Sequence, residues 1–273
     1  MTIQRFSDPW LIRVLLSVTF ILAGRVVGTS QVLSTNATAL KYEEPRLLQG
    51  RIYSSDRKQL LFRFTRRATR SGQQLSVVRE YSYPDGRIAA RERVEYLGDQ
   101  LRSFALGQLQ SGEAGRVNLK SDSQAKSQGV IAFEYQKEPG STAKTRNEEL
   151  QPDTVVSDMV APFLGSHWDA LMRGEKVKCR YIVLARRETV GFTFVKESES
   201  TSQGKQVAII KMEATSPIIA ALIDPLFFTL EKQGRHHVLE YRGRTTPKTR
   251  EGSSWKDLDA ITVFDWAEKG EGP

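Results

Sequence analysis

The chain has 273 residues, 40 Lys+Arg against 32 Asp+Glu and a formal net charge of +8. That length suits one large β domain or two small ones, with core enough to need no staples. An apolar share of 39% excludes a fully disordered chain and a polytopic membrane protein, and the single cysteine, Cys179, excludes an intramolecular disulfide framework and a zinc finger.

The charge is local. Residues 46–93 hold 12 Lys+Arg against 4 Asp+Glu, while 94–273 hold 24 against 25. The first segment, 1–28, reads as a secretory signal peptide: Arg5 and Arg13 precede the apolar run Val14–Ala23, about half of what a membrane-spanning helix needs. Small residues at Val26-x-Gly28, or later at Ala37-Thr-Ala39, offer cleavage. The alternative is an uncleaved membrane anchor. No cysteine follows the run, so a lipoprotein anchor is excluded. The expected location is therefore periplasmic or secreted, where a buried, structural Cys179 is expected rather than a nucleophile. Residues 29–45 form an N-terminal extension, 46–267 a single domain and 268–273 a disordered tail.

Within 46–267 most runs alternate as strands do. Leu60, Phe62 and Phe64 share one face; Leu75, Val77, Tyr81 and Tyr83 share the next; then Pro84-Asp85-Gly86 turns the chain into Ile88, Ala90, Val94 and Tyr96. Gly98-Asp99 leads into Leu101–Leu109. Residues 111–128 read as a long exposed loop, Ile131, Phe133 and Tyr135 as a strand, and 138–151 as a polar connection. Short alternating runs between tight turns predict an antiparallel meander. Arg63 and Arg67, and likewise Arg91 and Arg93, fall opposite the apolar faces and predict a basic outer patch for an anionic envelope component or membrane surface. Arg66 and Arg79 fall on the apolar faces, which places them at a sheet edge or in a partly polar cavity.

One helix follows. Ser157 or Asp158 is placed as its cap and Pro162 in its first turn; Leu164, Trp168, Leu171 and Met172 form its apolar stripe, and Gly174 its C-terminal stop. Strands resume at 177–186, 190–196 and 207–213. Ser216–Pro225 reads as a second helix of two turns whose residues Ile218, Ile219, Leu222 and Ile223 are apolar all round: either a plug in the core or a lid over an apolar cavity. Leu226, Phe228 and Leu230 alternate into a strand, Glu231–Gly234 turns it into 238–242, 244–257 reads as loose, and 258–266 is the last strand.

Catalytic signals are weak. His236 and His237 are adjacent in a strand and so point to opposite faces, and no histidine has metal-ligand spacing. There is no nucleophile elbow and no phosphate loop. Ser157, Asp158 and His167 are close enough in sequence to suggest a hydrolase, but a cap, a first-turn carboxylate and a surface histidine explain them as well. No enzyme activity, metal or cofactor is expected, and the compartment argues against nucleic acid.

The expected architecture is mainly β: a single antiparallel, strongly curved sheet, a half-barrel enclosing one or two short helices. The phrases Val190-Gly-Phe-Thr-Phe-Val-Lys196, Met212-Glu-Ala-Thr-Ser-Pro217, Asp224-Pro-Leu-Phe-Phe228 and Leu239-Glu-Tyr-Arg-Gly243, with the meander before them, resemble bacterial periplasmic proteins of unknown function. Their curved sheet is similar to that of lipoprotein carriers of the LolA/LolB type. The resemblance implies a half-barrel around helices and a bound acyl group, and transfers no catalytic residue. The leading expectation is a non-enzymatic envelope protein that binds or carries a lipid or acyl chain, with Ile218, Ile219, Leu222, Ile223, Phe228 and Trp168 at the ligand. The rival is a structural module that binds an anionic polymer or touches the membrane surface through 46–93.

Overall fold

The structure, a computed structural model, describes residues 45–120, 129–202 and 204–266. The expected signal peptide, the extension up to residue 44 and the expected tail lie outside the described residues. Among the described residues fifteen strands form one sheet in the order β8-β7-β6-β5-β4-β3-β2-β1-β15-β14-β13-β12-β11-β10-β9. The strands of the first half are β1 Leu47–Tyr53, β2 Leu60–Ser71, β3 Gln74–Ser82, β4 Ile88–Leu97, β5 Gln100–Gln108, β6 Ala114–Lys120, β7 Val130–Gln136 and β8 Lys144–Glu149. Those of the second are β9 Thr154–Val155, β10 Val177–Val183, β11 Glu188–Ser202, β12 Lys205–Ala214, β13 Leu226–Glu231, β14 Val238–Glu251 and β15 Ser254–Asp265. Sequence neighbours pair throughout except β8 and β9, which are the two ends, and β1 and β15 pair with one another in the middle of the order. All pairs are antiparallel except β9 with β10, which is parallel.

The two ends of the sheet approach without a shared ladder among the described residues. Glu148 on β8 accepts the Thr189 backbone N–H at 2.9 Å and also the Thr189 hydroxyl, and it lies 3.4 Å from the Arg180 guanidinium. Arg146 on β8 lies 3.3 Å from Glu188. The sheet therefore curls into a barrel-like form that side chains, not backbone, draw together. Gly115 contributes to this seam: a Cβ there would stand 3.1 Å from Leu184 Cβ and 3.0 Å from the Tyr135 ring, so a larger residue would press the 3₁₀ turn Leu184–Arg186 away from β6.

The helical segment follows β9. It is a 3₁₀ turn, Ser157–Met159, then α1 Val160–Ser166 and α2 Trp168–Met172. The expected single helix is broken at His167. Ser166 Oγ donates to the Phe163 carbonyl at 2.9 Å, in competition with the backbone ladder that the helix needs. Neither Ser157 nor Asp158 caps it: Val156 holds the capping position, with no side-chain bond. Gly174 ends α2 with a positive φ of 82°. Phe163, Leu164 and Leu171 are fully buried, and Trp168 is buried beside them. They join inward-facing residues from β3–β7 and β10–β13 in one core, while Leu48, Ile52, Phe62, Phe64, Tyr81 and Ala260 form a smaller second cluster.

Three regions expected to be loops are strands. Of 111–128, residues 114–120 form β6, and 121–128 lie outside the described residues. β8 falls in the expected connection and is exposed along most of its length. β14 and β15 run far into the stretch 244–257, held by Arg244 against Asp257 at 2.8 Å and Asp259 at 2.9 Å. The second helix is shorter than expected: α3, Pro217–Ala220, is one turn. No helix among the described residues is long and apolar enough to cross a membrane.

Candidate ligand site

The curled sheet and the helical segment leave a cavity of about 1130 Å³. Much of its wall is apolar: Phe104, Ile182, Val190, Phe192, Met212 and Phe228 come from strands on both sides of the sheet order. That composition follows from alternation, since every second residue of these strands faces inward.

A polar floor interrupts this wall. Arg66 on β2 and Arg79 on β3 are inward-facing, as their place on the apolar faces required, and both line the cavity. Arg66 Nε donates to Asp158 Oδ1 at 2.8 Å and its Nη1 to the Pro45 carbonyl at 2.7 Å. Tyr96 OH donates to Asp158 Oδ2 at 2.9 Å. Arg79 Nη1 donates to Glu92 Oε2 at 2.5 Å, and Glu92 also accepts from Ser157 Oγ and Thr246 Oγ1, each at 2.7 Å. Asp158 and Glu92 are 5% and 2% exposed, so each carboxylate is removed from water and held by a guanidinium and hydroxyls. Burial opposes the charge on Arg79, but Glu92 and Asp158 outweigh it and raise its pKa. Burial also pushes the hydroxyls of Tyr81, Tyr181 and Tyr241 well above their ordinary range, which keeps them neutral.

Sequence reasoning placed Ser157 and Asp158 as caps; they are instead partners of Glu92 and Arg66. The correction has a simple cause. Arg66 would be an unpaired buried cation without Asp158, and this pairing outweighs the modest gain from capping. The ion pair spans 92 residues of sequence. Tyr96, Glu92 and Thr246 were not singled out, and only Arg66 and Arg79, by falling on apolar faces, signalled the cluster.

The apolar candidates divide. Ile219, Leu222, Ile223 and Phe228 line the cavity. None of the four residues of α3 is buried, and Leu222, which follows it, is 70% exposed, so the cavity reaches the surface there. Ile218 is 77% exposed and outside the lining. Trp168 is also outside the lining: it stacks on His236 with ring centroids 3.9 Å apart, and His236 in turn lines the cavity. His236 sits in a turn with φ 56° rather than in a strand, so it and His237 both reach the cavity, contrary to the expected opposite faces. His237 stacks on Trp266 at 3.8 Å, and burial lowers its pKa.

His167 bonds Ser166 Oγ at 3.1 Å and the Phe163 carbonyl at 3.0 Å through Nδ1, with no carboxylate among its described partners. Among the described residues no three His, Cys, Asp or Glu converge as a metal site. On the outer face, Arg67 and Arg91 share Glu80 at 3.5 and 2.7 Å. Arg63 lies directly across from Arg51, and neither Arg63 nor Arg93 pairs with an acid among the described residues.

No family model matches the chain, and no curated protein matches it. Among solved structures, it is similar to a β-barrel-like protein, a domain of unknown function, from Brucella abortus: 9% identity, 81% of this chain and 96% of that one, TM-score 0.36.

Proposed function

We propose that the protein is a non-enzymatic cell-envelope component that takes a lipid or acyl chain into the barrel cavity. The cavity carries this reading: about 1130 Å³ of space with long apolar walls, of a size for a lipid-like guest. The exposed Leu222 at its rim, with Ile219 and Ile223 behind it, supports entry past α3. The expected resemblance to periplasmic proteins whose curved sheet is similar to that of LolA/LolB-type carriers, and the secretory reading of 1–28, would agree with that role and with a periplasmic location.

The test uses the full chain purified natively from its own host. Native mass spectrometry is expected to find a co-purified lipid, and the delipidated chain to bind N-phenylnaphthylamine in competition with acyl ligands. Ile223→Asp, at the half-buried rim, is expected to weaken that binding at least about tenfold, roughly 1.4 kcal/mol. A chain that carries no lipid and binds no apolar dye overturns the reading.

A second reading is favoured by Arg63 and Arg93, which have no acid partner among the described residues, and by Arg63 facing Arg51. In it, Arg63, Arg67, Arg91 and Arg93 hold the outer face against an anionic polymer or the membrane surface. Binding of an acidic polysaccharide or anionic vesicles should then fall steeply with salt, and binding that ignores ionic strength removes it. Neither reading calls for nucleic acid or a cofactor.

A further inference from the structure

The cluster around Arg79 is balanced in charge, and of the other cations that line the cavity Arg186, Arg244 and Lys248 are paired with Glu188, Asp257 and Glu113. Arg66 and Arg79 face Asp158 and Glu92, two cations against two anions, all four lining the same space. The balance is not matched by hydrogen bonds. A guanidinium has five N–H donors. Arg79 places one of them on Glu92; its Nε is 3.9 Å from Asp158 Oδ1, beyond hydrogen-bond reach, and Nη2 has no partner among the described residues. Its carbon stands 5.2 Å over the Phe64 ring, so an apolar face backs it. Arg79 side-chain exposure is 13%, and the residue lines the cavity. Tyr81 and Tyr181 line the same space.

These donors call for an acceptor, and the neighbouring carboxylates restrict its charge. A ligand carboxylate or phosphate on Arg79 would add a third anion beside two cations already matched by the buried carboxylates of Glu92 and Asp158, whose repulsion would oppose it. A carbonyl oxygen satisfies the same N–H groups without that cost. Resting on the proposed acyl-carrying role, we infer that the ligand's head is uncharged and acceptor-bearing, an ester or amide carbonyl seated on Arg79, rather than a free fatty acid or a phosphate.

The test compares ligands of one chain length on the delipidated full chain, at a pH well above the carboxylate pKa: monopalmitoylglycerol, palmitate and hexadecyl phosphate, each displacing N-phenylnaphthylamine. The ester is expected to bind at least about tenfold tighter than either anion. Glu92→Gln keeps an acceptor for Arg79 and removes one negative charge, so it should shift the preference toward palmitate about tenfold or more. Where Glu92→Gln does not fold, as read by circular dichroism, Arg79→Gln/Glu92→Gln keeps the balance and should lose ester affinity while still binding hexadecanol. Palmitate or hexadecyl phosphate binding the native chain as tightly as the ester overturns the inference and leaves acyl binding standing. Failure of every ligand to displace the dye overturns both.

Discussion

Strands β2–β4 and strands β10–β13 each turn one face to the same interior, yet they furnish it differently. The first arc brings Arg66, Arg79 and Glu92 inward among Phe64, Tyr81 and Val94. The second brings Cys179, Ile182, Phe192, Phe194, Ile210, Met212 and Phe228, with no charged group among them. The second arc is stable by apolar burial wherever it meets a complementary surface. The first is not self-sufficient: its Arg66 needs Asp158 and its Glu92 needs Ser157, which both arrive on the helical segment, and Glu92 also needs Thr246, which arrives on β14. The polar arc thus ties the helix and the long β14–β15 hairpin to the wall from within, whereas the apolar arc packs from within and makes its polar ties at its edges, as Lys196 does to the Met172 carbonyl at 2.9 Å. In one lumen, direction comes from the first arc and cohesion from the second.

Substitutions that reach the two arcs should separate these roles. Phe194→Ala removes a fully buried ring that packs on Phe163 at 5.7 Å and Phe228 at 6.1 Å, and should cost about 3–5 kcal/mol. Arg66→Met should cost about as much, some 3–5 kcal/mol, because it strands Asp158 in the interior. The difference lies in rescue. Adding Asp158→Leu to Arg66→Met should recover most of the loss, since a matched apolar pair replaces a matched charged one. No second substitution restores the volume lost at Phe194 so directly. Urea midpoints of the three variants measure this; an Arg66→Met cost under about 1 kcal/mol would mean that the pair is not buried as described.

A smaller effect belongs to the rim of the polar arc. Burial raises the Glu113 pKa, but hydrogen bonds from Lys248 and Tyr135 outweigh it, and the carboxyl ends below its ordinary 4.5. A depressed carboxylate pKa contributes stability that is present above the unfolded value and is lost as pH falls through the folded one. Glu113→Gln should therefore cost about 1–2 kcal/mol near neutrality. The gap to the native chain should narrow steadily as pH drops below 4.5. A gap that is constant with pH would assign the loss to packing rather than charge. Because Lys248 lies on β14, the same variant should also loosen the hairpin, read as faster amide exchange over 244–257.

Legibility in the sequence followed burial. β2, β3 and β4 each pack one face, so their alternation announced them, and the same alternation exposed Arg66 and Arg79 as misfits on apolar faces. β8 and the outer parts of β14 and β15 bury little on either face, so they carry no period to read. Their ladders rest instead on cross-strand pairs such as Arg244 with Asp257, and on Arg250 over Trp255 at 5.7 Å. The partners of Arg66 and Arg79 were hidden for a different reason: Asp158 and Ser157 sit where helix caps belong, and a local explanation was available for residues whose partners are distant. α3 was readable as apolar, but not as an unburied turn at the cavity rim, since composition does not say which side of a wall a helix takes.

The smallest effect probes the apolar arc's dryness. Cys179 is 3% exposed, and burial, aided by the charge of Asp153, pushes its thiol up to about 12. Alkylation needs the thiolate, so at mildly alkaline pH the native chain should react with iodoacetamide only through opening of the second arc. Labelling should thus be slow in buffer and immediate in denaturant. Phe194→Ala, which weakens that arc, should raise the native rate in proportion to its lost stability, because the open population grows by about tenfold for each 1.4 kcal/mol. Arg66→Met should raise it as much only if the two arcs open together; if labelling is unchanged in that variant while urea reports the same destabilisation, the polar arc and its helix come away first and the apolar arc holds on its own.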